Sequence, residues 1–268
     1  MSVVFQKIFG KGKAAVGMAH FPPLPGTPLY DEKAGIKGII ESLEQDVEAM
    51  VSGGIDGVMF GNEGDRPYFT KVGPETVAVM ASVIAQLKPK IKVPFGVDVL
   101  WDPAAAVALA VAVDAKFVRE VFTNVYDSDM GLWNPNAGEA LRLRRYLHGD
   151  DIALFFNINA EFAAPMGKRD IVQTAKSVVF SSIPDGICVS GPMTGSSADV
   201  AHIQAIRDVL PDTTIVANTG VNKDNVQDIL KVADGCFIGT SLKKDGNTWN
   251  NVDAERVRDF MSAVNGCR

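Results

Sequence analysis

Cysteine, histidine and long apolar runs are all scarce in this chain, and each shortage closes off a class of function. Its 268 residues include 3 cysteines. None forms a CxxC pair or stands beside a histidine, which speaks against a disulfide framework and against a thiolate zinc site. Cys188 and Cys236 lie inside apolar, strand-like runs and Cys267 is next to last, so all three read as structural. No stretch approaches the roughly 18 consecutive apolar residues that a membrane span needs. The opening "MSVVFQKIFGKGK" lacks the apolar core and small-residue cleavage site of an export signal. A cytoplasmic protein is expected. Positive charge is also in short supply, with 26 Lys and Arg against 32 Asp and Glu, a formal net charge of -6 and no basic cluster. A nucleic-acid partner is therefore not expected, because phosphate neutralisation needs clustered cations. Low-complexity tracts and linkers are missing too, which predicts one ordered domain over 1–268, with 1–13 as an N-terminal cap segment.

What is present is repetition of pattern. Eight apolar, strand-like runs recur along the chain: "AAVGMAH" (14–20), "IDGVMFG" (55–61), "VPFGVDVL" (93–100), "AKFVREVF" (115–122), "IALFFNIN" (152–159), "DGICVSG" (185–191), "TIVANTG" (214–220) and "DGCFIGT" (234–240). Between them stand segments of helical periodicity such as "PETVAVMASVIAQLK", "DPAAAVALAVAVD" and "ADVAHIQAIRDVLP". Asp102 before Pro103 is an N-cap signal, Gly53-Gly54 a stop, and Pro211 follows another helix end. Strict alternation demands parallel strands with right-handed crossovers, and eight such units predict a closed (β/α)8 barrel in a single domain. An open doubly wound sheet is the alternative, disfavoured because no run is followed by GxGxxG.

Barrel active sites lie where the strands end, so the residues finishing each run are the candidates. His20 ends the first, and Asn62, Glu63, Asp65 and Arg66 follow the second. Asp98 belongs to the third, Arg119 and Glu120 to the fourth, and Asn157, Asn159 and Glu161 to the fifth. Alternation sends Phe155, Asn157, Asn159 and Glu161 to one face and Leu154, Phe156 and Ile158 to the other, which must be the helix side. The polar set then faces inward, as a self-satisfied plug or as ligand-binding groups. Asp98 can be catalytic or simply paired with Arg119. Asp102 reads as a cap. His148 and His202 fall on predicted helices, away from the strand ends. Glu63 and Asp65 on one loop, without a third ligand, make a weak metal signal. No cofactor is expected, and a divalent metal is left open.

The last two runs each end in small, amide-rich turns: Asn218, Thr219 and Gly220, then Gly239, Thr240 and Ser241. Ser190 and Gly191 open a similar turn, "SGPMTGSS". These turns are either ordinary connections or a backbone cradle for a phosphate, which loops after the seventh and eighth strands of this fold commonly form.

"GMAHFPPLPGTP", "GGIDGVMFGNEGDRPYF", "PFGVDVLWD", "ICVSGPMTG", "NTGVNKDNV" and "ADGCFIGTSLKKDG" together resemble the BtpA family over nearly the whole chain, in particular its bacterial sgc-region (SgcQ-like) branch. The resemblance implies a (β/α)8 barrel of the ribulose-phosphate-binding type. It also brings departures. Many members read "ENFGD" where this chain has "GNEGD", carry a Lys-His pair near the position of Ala160-Glu161-Phe162, and read "GSGV" in place of "NTGV". Without that lysine a Schiff-base aldolase is disfavoured.

The expected function is that of an enzyme on a phosphorylated sugar or related small metabolite, transferring a proton next to a carbonyl as isomerases and epimerases do. Asp98, Glu120, Glu161 and Glu63 are candidate acids or bases, with His20, Asn157 and Asn159 beside them. A hydrolase or lyase on a phosphorylated glycoside or nucleoside is the second expectation. A non-catalytic assembly factor is the third. An open mouth with converging carboxylates separates the enzymes from the scaffold. A homo-oligomer is left open.

Overall fold

The computed structural model describes residues 3–10, 12–191 and 198–268. Helix α1 (Val3–Phe9) leads into β1 (Ala14–His20), and the chain then alternates through α2 (Gly35–Ser52), β2 (Gly57–Gly61), α3 (Pro74–Leu87), β3 (Phe95–Asp98), α4 (Pro103–Val113) and β4 (Phe117–Glu120). Two short strands, β5 (Tyr126–Ser128) and β6 (Gly131–Trp133), precede α5 (Ala137–Tyr146), β7 (Ala153–Asn157), a third short strand β8 (Ala163–Pro165) and α6 (Ile171–Ser182). The rest is β9 (Gly186–Ser190), α7 (Val200–Val209), β10 (Ile215–Asn218), α8 (Val226–Val232), β11 (Gly235–Ile238) and α9 (Ala254–Asn265). Strands β1, β2, β3, β4, β7, β9, β10 and β11 pair in that order, all in parallel, and β11 returns to β1 to close the barrel. No helix among the described residues is long and apolar enough to cross a membrane.

Each expected run contains one barrel strand, but the strands are shorter than the runs. "VPFGVDVL" yields four residues, Phe95–Asp98, and "IALFFNIN" yields Ala153–Asn157. Pairing stops where the chain must diverge into the loops above the barrel, and that trimming determines which side chains keep the alternating orientation. Within β7 the alternation holds: Leu154 and Phe156 pack in the core between barrel and helices, whereas Phe155 belongs to the barrel interior.

The interior is filled from below. Phe5 and Phe9 of α1 pack against Phe155 and Phe117, with ring centroids 5.7 Å apart in both pairs. Phe237 completes the aromatic layer beside Phe117. Gly96 and Gly235 make room for it, since a Cβ at the first would strike the Phe117 ring and at the second the Phe5 ring. Full burial of such a ring is worth about 1.5–3 kcal/mol relative to exposure, so the lower barrel is a packed plug. The helices start on their sequence signals. Asp102 accepts a hydrogen bond from the Ala105 N–H at 3.1 Å, and Asn136, Asp170, Asp199 and Asp253 cap α5, α6, α7 and α9 likewise.

Two features differ from the expectation. The short strands β6, β5 and β8 form an antiparallel sheet, in that order, built from the loops that follow β4 and β7. Its runs of three residues carry too little periodicity to signal a strand. Tyr126 and Trp133 from this sheet join Trp101 and Leu100 in a separate apolar cluster. His148 is not on a helix: it lies in the turn after α5 with φ 59°, a left-handed conformation. Burial pushes the Cys188 and Cys236 thiols up to about 12, so neither is a thiolate at neutral pH.

Candidate active site at the barrel mouth

The floor of the mouth is a polar relay laid across the strands. Arg119 on β4 forms an ion pair with Asp98 on β3 and donates a second hydrogen bond to Asn218 Oδ1 on β10 at 2.6 Å. Asn218 Nδ2 donates to Ser190 Oγ on β9 at 2.9 Å. Asn159 clasps the Ser190 backbone, donating to its carbonyl at 2.7 Å and accepting from its N–H at 2.9 Å. The guanidinium is thereby fixed over the aromatic plug, 5.4 Å from the centre of the Phe237 ring.

Glu120 is fully buried and accepts a hydrogen bond from the Val121 N–H. The Asp98 charge acts on this carboxyl from the neighbouring strand and raises it further. Burial pushes both carboxyls upward, and Arg119 pulls Asp98 back, so Glu120 is the protonated one of the two.

Above this floor is a cavity lined by His20, Glu63, Arg119, Glu161, Asn218 and the backbone turns at Thr219-Gly220 and Gly239-Thr240. Tyr68, Leu100, Trp101 and Phe162 contribute its apolar wall. It is tight, with about 60 Å³ open to the centres of water molecules. His20 Nε2 stands 3.4 Å from Glu63 Oε1, and their side chains are 8% and 12% exposed. Burial, then the charge of Lys243, lowers the His20 pKa well below its usual value. Burial, then the charge of Asp98, raises Glu63 from 4.5 to about 8. At neutral pH the pair is therefore an uncharged imidazole facing a carboxylic acid, a setting that tunes a proton donor to its working pH.

The same shifts bear on stability. A carboxyl raised in the folded state binds more protons there than in the unfolded chain, so its contribution is present below 4.5 and lost as pH rises to about 8. His20, lowered in the folded state, acts oppositely: its contribution is lost as pH falls through the ordinary histidine value of 6.5. We expect Glu63→Gln to remove the alkaline loss and His20→Gln the acid one, as read from urea midpoints across the range from acid to mildly alkaline pH.

Of the residues named from the sequence, His20, Glu63, Glu161, Asn218, Thr219, Gly220, Gly239 and Thr240 line one cavity. Asp98, Glu120 and Asn157 lie beneath it, each 0% exposed. Asp98 is therefore not an accessible catalytic group; it is the partner of Arg119, whose ion pair holds it under the floor. Asn159 does not point into the cavity either; β7 ends at Asn157, so alternation no longer governs it. Ser190 and Gly191 support the turn after β10 rather than the cavity, the Gly191 N–H donating to Thr219 Oγ1 at 2.7 Å. Ser241 ties the two turns together by donating to the Val221 carbonyl at 2.8 Å. The remainder of the "SGPMTGSS" turn, 192–197, is outside the described residues.

Asp65 and Asn62 are structural. Asp65 accepts from the Leu24 N–H and from Asn62 Nδ2, and Asn62 accepts from the Leu100 N–H, which stitches the first three loops together. Among the described residues no three His, Cys, Asp or Glu converge as a metal site. Arg119, which the sequence placed at the end of the fourth strand and beside Asp98, forms the floor of the cavity. Its inward position follows from the parity of Phe117, two residues earlier. Tyr68, Trp101 and Phe162 left no such signal.

A family model described as the BtpA family matches residues 11–266. The chain belongs to the BtpA family. It is 45% identical over 263 residues to the putative sgc region protein SgcQ of Escherichia coli strain K12, covering 98% of each chain. It is 31% identical to the photosystem I biogenesis protein BtpA of Synechocystis, over 93% of this chain and 87% of that one. Among solved structures, Mycobacterium tuberculosis tryptophan synthase superposes with a TM-score of 0.61 at 12% identity, over 97% of this chain and 96% of that one. At that identity the likeness concerns the barrel alone. Family membership and the closed barrel thus rest on independent grounds, while the chemistry of the mouth rests on this chain's own residues.

Proposed function

We propose that this BtpA-family barrel is a cytoplasmic enzyme that transfers a proton next to the carbonyl of a small phosphorylated sugar or related metabolite, in the manner of isomerases and epimerases. The observation that carries this reading is the buried contact of His20 with Glu63, opening on a tight cavity with Arg119 at its floor; burial there favours the neutral imidazole and the protonated carboxyl. Glu161 reaches the cavity from the loop after β7, three strands around the ring from β2, and supplies a second carboxyl. A carbonyl bound between them can be protonated at oxygen by Glu63 while a carbon-bound proton leaves to Glu161. Arg119 stabilises the negative charge that develops. The narrow cavity suits the reacting end of a small molecule. The Thr219-Gly220 and Gly239-Thr240 turns at its edge suit a phosphate.

The direct test is incubation in D2O with a panel of ketose and aldose phosphates and their unphosphorylated counterparts, followed by proton NMR. Loss of the C–H signal next to the carbonyl of a phosphorylated compound is expected. A panel that keeps every such signal, with folded protein, would sink the proposal.

The cradle is tested separately. A Cβ at Gly239 would come within 3.2 Å of His20 Cε1 and Nε2, and Gly220 has φ 60°. Gly239→Val should therefore block the turn and crowd the imidazole, abolishing sugar-phosphate binding in calorimetry while the barrel still melts cooperatively. Gly220→Val should also lose binding and cost about 1–2 kcal/mol of backbone strain. Unchanged affinity in a folded Gly239→Val protein would remove the phosphate assignment.

A further inference from the structure

Four buried polar atoms on residues that line the mouth cavity have no hydrogen-bond partner among the described residues: His20 Nδ1, Glu63 Oε2, Trp101 Nε1 and Arg119 Nε. Three of them belong to groups that are otherwise engaged. His20 Nδ1 lies toward the Thr248 backbone, the Arg119 guanidinium is paired with Asp98 and Asn218, and Glu63 is the acid of the proposed reaction. Trp101 has no such engagement. It is 2% exposed and packs against Tyr68 and Trp133, with ring centroids 6.0 Å and 5.2 Å away, and its backbone N–H donates to the Phe69 carbonyl at 2.8 Å. These contacts hold the indole in place. An indole N–H can only donate, and a donor stranded in the interior costs free energy that a phenylalanine filling the same aromatic cluster would not.

We propose that Trp101 Nε1–H is reserved for a substrate oxygen, the one on the carbon beside the carbonyl, and so restricts the site to 2-hydroxy carbonyl compounds. With the cavity read as the site of proton transfer next to a carbonyl, on which this assignment rests, Glu63 takes the carbonyl oxygen and Glu161 the proton of the neighbouring carbon. A hydroxyl on that carbon offers the indole a lone pair. A hydrogen or a methyl group there offers none, and binding it leaves the donor buried and unpaired against the ligand as well. The cavity, with about 60 Å³ open to the centres of water molecules, leaves room for little beyond such a pair of adjacent oxygens and the carbons that carry them. Both terminal nitrogens of Arg119 already donate within the protein, to Asp98 and Asn218, so the guanidinium brings charge to the floor while the indole brings a fixed, neutral donor to the wall.

Acetohydroxamate and N-methylacetamide test this directly. Both are small planar amides of equal heavy-atom count, and the first has a hydroxyl oxygen where the second has a methyl group. Neither carries a phosphate or a proton to exchange for turnover, so the outcome depends on neither the cradle nor the chemistry. The chain has 3 tryptophans, so nitrogen-15 indole labelling gives a small set of signals. Trp101→Phe assigns the one of interest directly, and Trp133→Phe with Trp249→Phe assigns it by elimination. Acetohydroxamate should move the Trp101 indole proton downfield and should bind the wild-type protein about tenfold or more tightly than N-methylacetamide. In Trp101→Phe that preference should fall to about twofold or less. Equal affinities in the wild type, a tenfold preference that survives in folded Trp101→Phe, or an indole signal that acetohydroxamate leaves unmoved would overturn the assignment. Deuterium exchange on a sugar phosphate with an unmoved indole would overturn it too and leave the proton transfer standing. A moved indole with no exchange on any compound would support the indole contact and count against the proton transfer.

Discussion

Arg119→Met should cost about 3–5 kcal/mol of folding stability, the largest effect we expect from any substitution at the mouth. Asp98 is 0% exposed and its charge is balanced by the guanidinium. Methionine keeps most of the side-chain volume but leaves the Asp98 carboxylate in the barrel interior without its ion-pair partner. Asn218 loses its donor at the same time. The remaining option for Asp98 is to take up a proton: burial already raises its folded-state pKa, and removing Arg119, which holds it down, raises it further. The loss should therefore shrink as pH falls and grow as pH rises through neutrality. Adding Asp98→Asn removes the stranded charge, so the double variant should recover a substantial part of the deficit. Urea denaturation at several pH values reads all three statements. A single variant within about 1 kcal/mol of wild type would mean that the pair contributes no more than a surface contact.

The barrel was legible because it is a matter of period. Eight apolar runs separated by helical patterns leave little topological choice, and caps such as Asp102 marked the helix starts. The same logic placed Phe155 and Asn157 inward. It failed at Asn159, because above the last paired residue a side chain follows local hydrogen bonds rather than the pleat, and this one turned to the Ser190 backbone. At Asp98 the pleat was read correctly but not the depth: the last residue of β3 sits below the cavity, where Arg119 claims it. The His20–Glu63 contact was not legible, since it depends on how the GNEGD turn folds back. Gly61 and Gly64 permit that fold: a Cβ at Gly61 would crowd the Glu63 carboxyl, and one at Gly64 would meet the Phe21 and Pro23 backbone within 2.6 Å. The small sheet beside the mouth depends on contacts between the loops after β4 and β7, which no local window contains.

In the proposed reaction Glu63→Gln should reduce turnover by about 100-fold or more, because the amide keeps the size and hydrogen-bonding reach of the acid but cannot give up a proton to the carbonyl. Glu161→Gln should have a different consequence, and two readouts, turnover and deuterium exchange, tell acid from base. Removing the base at Glu161 should stop both, since no carbon-bound proton leaves. Removing the acid at Glu63 should depress turnover while exchange next to the carbonyl declines less, as polarisation by Arg119 persists. Loss of fold is separable from loss of chemistry: Glu63→Gln should match wild type in stability below pH 4.5 and exceed it near pH 8, because the carboxyl that resists ionisation until about 8 is gone. An inactive protein with that alkaline gain identifies Glu63 as the acid. Equal turnover in wild type and Glu63→Gln would instead shift the acid role to Glu161 and leave His20 with a structural partner only.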